Sequence, residues 1–420
     1  MTGLSAPGFP EAEVRRRARL GAAAAFPDPD AYGQVLLGAA PAAPADTIDA
    51  MRIVPPVLMP QRLSRLLDLG REPTYRDVEL DTVVGGFPSR LPVYLSALGS
   101  TRAASGDLGL AVALAAGRAG VPMVIGENVV PTHGYRPDGG AHDGVLLARL
   151  RAYAESAPEG VGGVVVQQST EDADAEVWNL AYSDPAATTL LADGRLAFEL
   201  KVGQGAKPGL GGMSVLPRTE GAEIAGQYLI DDLFGPDRPE VLRSSSPGTF
   251  TEEILRQQIR LMYNNFPRAR IWVKLPPGRD IAAATAVAWA AGADAVTVDG
   301  AEGGSGWSPF ASLDHVGLPL AECLRRIGRP QGCLLVSGRM WAGPRAVKAL
   351  ALGATAVGLG RAALIAADED RDHGVGRLLD CLRLELRLIL SALGKYRPAA
   401  LDESDVWLPC DFSEPKERSG

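Results

Sequence analysis

Residues 333–363 read CLLVSGRMWAGPRAVKALALGATAVGLGRAA. Two apolar runs, Cys333–Ser337 and Thr355–Leu359, flank an alanine-rich segment at Gly343–Leu352 that Gly353 can terminate. A short, almost continuously apolar run is typical of a parallel strand that is covered on both faces, and glycine commonly ends a helix. This stretch therefore predicts a strand, a helix and a second strand of one parallel sheet.

Six more apolar runs of the same character precede this unit. They are Pro92–Ser96, Val121–Gly126, Gly163–Gln167, Ala197–Gly203, Ile271–Leu275 and Ala295–Asp299. Helical patterns such as Asp280–Ala291, which Gly292 follows, separate the runs. Eight parallel strands that alternate with helices predict an α/β protein of the (β/α)8 TIM barrel class, with a doubly wound open sheet as the alternative.

The flanking segments and one long connection complete the predicted organisation. Residues 1–91 form an N-terminal cap, with an amphipathic helix at Glu11–Ala25 and a mostly irregular, proline-rich path over 51–91. Residues 92–364 form the barrel, and residues 365–420 form a C-terminal helical extension. About 68 residues separate the fourth and fifth strands, and so long a connection at the C-terminal face of a barrel usually covers the active site.

The composition excludes several classes of protein. Hydrophobic residues make up 46% of the 420 positions and charged residues 22%, which is enough for a full core and unlike a disordered chain. The 42 lysines and arginines against 50 acidic residues give a formal net charge of −8, so nucleic acid is not expected as a partner. No apolar stretch approaches the ~20 residues that span a bilayer, and we expect a cytoplasmic protein with no membrane partner and no signal peptide.

Cysteine and histidine positions give no sign of a metal centre. The four cysteines are Cys323, Cys333, Cys381 and Cys410, and the four histidines are His133, His142, His315 and His373. The cysteines form no CxxC pair and the histidines have no ligand spacing, so we assign no metal.

A glycine-rich segment, ELKVGQGAKPGLGGM at 199–213, follows the fourth predicted strand directly. Strand alternation places Lys201 on the interior side, where a lysine is costly unless it meets an anion or an electron-rich cofactor. A surface glycine loop with solvated lysines is the alternative. Lys274, in WVKLP, is a second lysine inside a strand, and it could be a Schiff-base nucleophile, a structural ion pair or a positive charge set against a cofactor.

Two more glycine-rich turns follow later strands. DAVTVDGAEGGSGWSP at 294–309 contains Asp299 and Glu302. Loops after the seventh and eighth strands of a barrel commonly form a phosphate site from backbone amides, a helix N-terminus and a basic side chain. Those positions hold Gly338, Arg339, Gly360 and Arg361. Residues 358–363 also match G-x-G-x-x-A, but no further strand–helix–strand unit follows, as a dinucleotide site would need.

These segments together resemble one family. KVGQGAKPGLGGM is similar to K-x-x-Q-G-A-K-P-G-x-G-G of the FMN-binding domain of glutamate synthase and its stand-alone relatives. The resemblance continues across most of 92–364, through LPVYLSALGS, IGEN at 125–128, IWVKL, DGAEGGSGWSP and ALGATAVGLGRAALI. It implies a (β/α)8 barrel that binds FMN over its C-terminal face.

The resemblance also implies roles for single residues. Ser96, Ala97 and Leu98 would line the flavin, and Lys274 would stand near its N1/C2 carbonyl region, where a positive charge stabilises the reduced anion. The other cofactor-binding residues would be Gly303 and Gly304, with Gly338, Arg339, Gly360 and Arg361 on the phosphate. The catalytic residues would be Lys201, Gln204 and Lys207, in the pocket where an oxo or imino acid meets flavin N5, and Glu127, which could guide or deprotonate an amine.

Several positions depart from the family pattern. The usual SPPPHHDIYS is SSSPGTFTEE at 244–253, so two histidines near the substrate side are missing. Cys381 is the only cysteine across 364–391, and one thiolate cannot hold the family's iron–sulfur cluster. We expect no glutamine hydrolysis on this chain. In the turn that follows Gly304, Gly306, Trp307 and Ser308 replace a GTGA-like segment and would reshape the pocket.

The predicted function is that of an FMN-dependent, glutamate synthase-like oxidoreductase in amino acid metabolism. It would act on the C–N bond of a small amino or imino acid, in either direction, with an unidentified electron donor or acceptor, and a homo-oligomer is among the assemblies that the sequence allows. Another flavin-dependent oxidation, such as that of a 2-hydroxy acid, and a non-catalytic flavin-binding protein are the alternatives.

Overall fold

The barrel predicted from the apolar runs is present and closed. The computed structural model describes residues 4–25, 47–98, 107–126, 143–169, 176–203, 205, 209, 211–226, 228–232, 239–304, 309, 312 and 315–408. Its strands are β1 (Arg52–Ile53), β2 (Thr82–Val84), β3 (Phe87–Ser89), β4 (Val93–Leu98), β5 (Met123–Ile125), β6 (Val164–Ser169), β7 (Leu196–Lys201), β8 (Met213–Pro217), β9 (Leu229–Asp231), β10 (Glu240–Ser244), β11 (Arg270–Leu275), β12 (Ala295–Asp299), β13 (Leu334–Ser337), β14 (Ala356–Leu359) and β15 (Val406–Trp407).

Eight parallel strands form the barrel, in the spatial order β11-β12-β13-β14-β4-β5-β6-β7. Closure comes from β14 pairing with β4 and from β7 pairing with β11. Each of the eight predicted strands corresponds to one of these, with ends that differ by one or two residues for most. The fold is therefore a (β/α)8 barrel, and the open-sheet alternative is wrong.

Helices cover the outside of the barrel. The helices of the described residues, of which Arg218–Ile224 packs on the β8–β10 insertion, are Glu11–Leu20, Thr47–Ala50, Pro60–Leu69, Asp107–Ala119, Asp143–Ser156, Glu176–Ser183, Ala187–Ala192, Arg218–Ile224, Glu252–Asn265, Ile281–Ala290, Leu320–Ile327, Gly343–Ala351, Arg361–Glu369 and Gly374–Ala392. Gly292 and Gly353, with φ of 104° and 101°, follow two of the helices, as predicted for residues that end them. Within the described residues, no helix is long and apolar enough to cross a bilayer.

The barrel interior changes from apolar to polar along the strands. A small inner cluster that includes Tyr94, Val165, Trp272 and Leu335 fills the half near the strand N-termini. The hairpin of β2 and β3 closes that end, since the Phe87 ring packs against Trp272 with ring centroids 5.5 Å apart and the Gly85 carbonyl accepts from Trp272 Nε1 at 3.0 Å. A larger apolar cluster lies between the strands and the helices.

The lead-in is more regular than the sequence indicates. The first helix ends at Leu20 and continues as a 3-10 turn over Gly21–Ala25, close to the predicted span. The irregular path expected over 51–91 instead contains the helix Pro60–Leu69 and the β2–β3 hairpin. Proline is favourable at the first position of a helix, where its missing N–H costs nothing, so Pro60 starts a helix and does not interrupt one.

The long connection between β7 and β11 carries its own small sheet. Strands β8, β10 and β9 pair antiparallel in that order. This insertion leaves from the C-terminal end of β7, which is the end of the barrel where active sites form.

Candidate functional site

The polar half of the barrel interior opens at the C-terminal ends of the strands. One or two inward side chains from each of six strands meet there: Ser96 from β4, Gln167 from β6, Glu199 and Lys201 from β7, Lys274 from β11, Thr297 and Asp299 from β12, and Ser337 from β13. Each of these residues is less than 9% exposed. We call this set the barrel mouth.

The two lysines of the barrel mouth are neighbours. Lys274 on β11 pairs in register with Lys201 on β7, so both side chains lie on the inner face. Lys274 Nζ lies 2.9 Å from Asp299 Oδ2, and the two side chains are 7% and 4% exposed. Of the three alternatives that the sequence leaves open for Lys274, the structure shows a buried ion pair.

A second polar group lies beside that pair. Glu199 accepts hydrogen bonds from Gln167 Nε2 at 2.5 Å and from Thr297 Oγ1 at 2.8 Å. Burial raises the pKa of the Glu199 carboxyl, and the nearby Lys274 opposes that rise only in part. Burial likewise raises the pKa of the Tyr94 hydroxyl, which lies below this layer.

The loop after β7 contacts the turn after β12. A Cβ atom on Gly205 would lie 3.3 Å from the Gly303 carbonyl oxygen, and one on Gly203 would lie 3.0 Å from the Pro276 ring. The turn itself is closed by Gly303 N–H donating to the Gly300 carbonyl at 2.8 Å. Lys201 and the predicted Gly303–Gly304 segment therefore lie at one end of the barrel.

The loops after β13 and β14 bring two arginines together. Gly338 and Arg339 both have positive φ, 143° and 55°, and Arg339 is the only non-glycine residue with that backbone in the described parts of the chain. Such conformations are costly and cluster at functional sites. Gly360 precedes the helix that Arg361 begins, so the helix N-terminus faces the same region.

The positive charges of Arg339 and Arg361 lie close together and favour the binding of an anion. Burial and the neighbouring Arg339 guanidinium lower the pKa of Arg361, and Asp299 raises it. Arg361 donates to the Glu302 carbonyl and lies over the Phe9 ring, 4.7 Å from its centroid. Arg339 Nε is buried without a hydrogen-bond partner among the described residues. Two close guanidinium groups at a helix N-terminus form a suitable site for a phosphate.

The first barrel strand offers a further unsatisfied group. The Ser96 hydroxyl is buried and has no hydrogen-bond partner in the part of the chain that the structure describes. Gly358 makes room beside it, since a Cβ there would lie 2.2 Å from Ser96 Oγ. Ala97 packs against the inner cluster, whereas the Leu98 side chain packs in the outer cluster, after a shift in register between Leu95 and Leu98. The residues of this end of the barrel therefore fit a phosphate-bearing cofactor such as FMN, since they offer two close guanidinium groups, a helix N-terminus and an unsatisfied hydroxyl group.

Three predicted residues lie outside the described residues: Glu127, Gln204 and Lys207. The same holds for Gly306, Trp307 and Ser308, and for His133, His142 and Cys410. Conversely, the sequence reasoning assigned no role to Gln167, Glu199, Thr297 or Ser337. Strand alternation was the signal that could have found them, because each lies an even number of residues from an inward position of its strand.

The conserved region in glutamate synthase matches residues 159–369, which is half of the chain. The chain is 33% identical over 185 residues to an archaeal-type glutamate synthase [NADPH] of Dehalococcoides mccartyi, a match that covers 42% of this chain and 36% of that protein. It is 34% identical over 185 residues to a glutamate synthase large subunit-like protein of Rhizobium meliloti, covering 42% of this chain and 41% of the relative. The chain thus matches about a third to two fifths of the length of these relatives.

Solved structures show the same fold at low identity. (S)-mandelate dehydrogenase from Pseudomonas putida superposes with a TM-score of 0.56 and 18% identity, covering 96% of this chain and 99% of that one. A flavocytochrome b2 superposes with a TM-score of 0.52 and 19% identity, covering 86% and 77%.

Fold and site together define a TIM barrel of the flavin-binding class. The chain belongs to the glutamate synthase family. Membership of this family confirms the FMN cofactor that the sequence resemblance implies.

Proposed function

We propose that this protein is an FMN-dependent oxidoreductase that acts on the C–N bond of a small amino or imino acid. Membership of the glutamate synthase family supports a flavin oxidoreductase. The observation that carries the finer proposal is the pair of buried lysines in register on β7 and β11. When bound, FMN supplies the hydride donor and acceptor chemistry.

The two lysines have different tasks in this proposal. Lys274 is held by Asp299 on the β12 side of the barrel mouth, where it serves the flavin. Lys201 ends β7, directly before the glycine-rich loop, and its ammonium binds and orients the carboxylate of the substrate. This division follows the rule that the residues of a barrel active site come from the ends of different strands.

Other residues of the chain complete the site. Gly205, after β7, lies against the Gly303–Gly304 turn, and we propose that this contact narrows the barrel mouth and limits access of water. We propose that Gln204 and Lys207 of that loop contact the substrate and that Glu127 guides or deprotonates its amine. We propose that electrons reach or leave the flavin without an iron–sulfur cluster in 364–391, because Cys381 is the only cysteine of that segment.

An anaerobic bleaching screen tests the reaction class. The purified protein, loaded with FMN, is mixed with small amino acids and, separately, with 2-hydroxy acids, while the flavin absorbance is followed. Bleaching by an amino acid, or reoxidation of the reduced protein by a 2-oxo acid with ammonia, is the expected result. Bleaching by 2-hydroxy acids alone would assign a different flavin oxidation, and no response to any compound would favour a non-catalytic protein.

Lys201→Ala tests the assigned role of that lysine. The variant should keep its FMN and lose most of the substrate-dependent bleaching, because the carboxylate then lacks its cationic partner. Arg260→Ala, which removes an exposed cation on the outer helix Glu252–Asn265, is the control and should bleach normally. Normal turnover by Lys201→Ala would contradict the assignment.

A further inference from the structure

The carboxylate of Asp299 lies inside the barrel mouth at the end of β12. Asp299 Oδ2 is 2.9 Å from Lys274 Nζ, and both side chains are almost completely buried. Charges this close in a poorly solvated interior interact much more strongly than they would in water. Any group beside Lys274 therefore experiences the field of both charges.

The second oxygen of this carboxylate is also held. Ser337, which pairs in register with Asp299 on the neighbouring strand β13, donates its hydroxyl to Asp299 Oδ1. One oxygen faces an ammonium and the other a hydroxyl donor, and the two contacts hold the carboxylate in one orientation. The Asp299 carboxylate is therefore held in position as firmly as the Lys274 ammonium group.

The neighbouring carboxyl group of Glu199 is arranged differently. It is bonded to the neutral groups of Gln167 and Thr297, and burial raises its pKa. Two other charged groups lie nearby: Lys201 is in register with Lys274 on β7, and Arg361 donates to the Glu302 carbonyl and lies over the Phe9 ring. Asp299 is thus the carboxylate paired with Lys274.

We propose that Asp299 is a built-in counter-charge that lowers the reduction potential of the bound flavin by offsetting Lys274. Reduced FMN is anionic near N1, so a lysine there favours reduction and a carboxylate next to that lysine opposes it. The inference rests on the FMN binding of the proposed function and is independent of its C–N chemistry.

The test is a set of reduction potentials measured on FMN-loaded protein without substrate. Asp299→Asn keeps the shape and removes the charge, and it should raise the midpoint potential, with a change of at least about tenfold in the ratio of reduced to oxidised FMN affinity, or about 30 mV for a two-electron couple. Lys274→Met should lower the potential. Asp294→Asn, at the opposite end of the same strand, is the matched control and should leave it unchanged.

The sign of the shift decides between the possibilities. A raised potential in Asp299→Asn supports the counter-charge. An unchanged or lowered potential overturns it, since a carboxylate that only holds Lys274 in place would, once removed, let the lysine leave the flavin.

The double variant keeps the test decisive if Asp299→Asn alone loses its flavin. Lys274→Met leaves a buried carboxylate unpaired, so adding Asp299→Asn to it should raise both the potential and the unfolding temperature. A double variant no higher in potential than Lys274→Met would overturn the proposal. Failure of the bleaching screen, with these shifts observed, would reject only the C–N reaction.

Discussion

Arg361 connects three parts of the molecule through a single guanidinium group. It begins the helix after β14, donates to the Glu302 carbonyl of the turn after β12, and lies over Phe9 of the lead-in. Its charge is close to that of Arg339, which is unfavourable unless an anion lies between or beside them. The residue is therefore placed for the FMN phosphate.

Arg361→Ala should weaken FMN binding about ten- to a hundredfold, because a charge-assisted contact with phosphate is worth ~1.5–3 kcal/mol. Arg361→Lys keeps the charge but loses the planar guanidinium group, so its FMN affinity should lie between those of Arg361→Ala and the wild type. Fluorescence titration of the apoprotein with FMN measures both. An unchanged dissociation constant in Arg361→Ala would indicate that the residue only links its helix to the Glu302 turn and Phe9 and does not bind the phosphate.

Glu199 gives a pH dependence whose sign follows from its burial. Its carboxyl pKa is raised in the folded protein above the usual value of 4.5, with burial as the largest cause. The neutral form is therefore favoured by folding, and its contribution to stability is complete below about pH 4.5 and lost as the pH rises through the raised value.

Glu199→Gln removes this titration and keeps the side-chain shape. The free energy of unfolding of the variant, relative to wild type, should increase as the pH is raised from 4.5 to 8, by at most ~1.4 kcal/mol per pH unit. Urea unfolding at a series of pH values measures the difference. The same change at exposed Glu159 is the control, and a Glu199→Gln difference as flat as the control would contradict the argument.

At this scale the sequence predicts which residues enter the barrel mouth better than it predicts what they contact. Lys201 and Lys274 are inward, as strand alternation requires. The partner of Lys274 could not be read from the sequence, because Asp299 lies on a different strand and their contact depends on the register of β11 against β12. The positive φ of Arg339 likewise has no local sequence signal.

Among the elements, the first helix is attached to the helices Arg361–Glu369 and Gly374–Ala392 by several ion pairs, and that of Arg17 is buried. Arg17 donates to both carboxylate oxygens of Glu385, at 2.7 and 2.8 Å, and lies 5.1 Å from the Trp341 ring centroid. It also donates to the Cys381 sulfur at 3.2 Å. These contacts fix the helix Glu11–Leu20 to the helix Gly374–Ala392, which lies next to the helix Arg361–Glu369.

Arg17→Ala should lower the free energy of unfolding by ~3–5 kcal/mol, because it leaves Glu385 largely buried without its cation. Arg16→Ala is the matched control one position away, since Arg16 is more exposed and its ion pair is with Glu13 of the same helix; its cost should stay below ~1 kcal/mol. Urea denaturation measures both variants. Equal midpoints for the two would show that the buried ion pair does not hold the helix in place.

The elements that the sequence predicts well are the ones with strong apolar runs. The eight barrel strands and the helices Ile281–Ala290 and Gly343–Ala351 were predicted for that reason. Strands β8, β9 and β10 were not, because none of them is a continuous apolar run: polar or charged residues interrupt each one, and their pairing with one another makes them strands. The helix Pro60–Leu69 was missed because its three neighbouring prolines were interpreted as breakers.

At the scale of the whole molecule, the chain segments before and after the barrel meet. Strand β1 pairs antiparallel with β15, and the Asp49 carboxylate binds Arg345 of a barrel helix at 2.5 Å. The boundaries at 91/92 and 364/365 stay predictions, and these contacts indicate that the flanking segments pack as part of one body with the barrel.

The distribution of thiols over the whole molecule predicts a protein without a stoichiometric iron–sulfur cluster. Cys323 and Cys381 are buried in different helices, and burial raises the pKa of both thiols, to about 12 and about 11. Such thiols are poor ligands, since metal binding needs the thiolate. Iron and acid-labile sulfide, assayed after anaerobic purification, should both be well below one cluster per chain, and stoichiometric amounts would contradict the prediction.

The hairpin of β2 and β3 affects the order in which reactants reach the flavin. Because Phe87 packs against Trp272, the hairpin closes the barrel at the N-terminal ends of the strands, and we expect a flavin bound at the barrel mouth to be reached from the opposite end. A small electron donor and a small acceptor should then reach the flavin one after the other, the first leaving before the second binds. Steady-state kinetics should therefore follow a ping-pong pattern. Double-reciprocal plots should give parallel lines, and each reactant should compete with the other at high concentration.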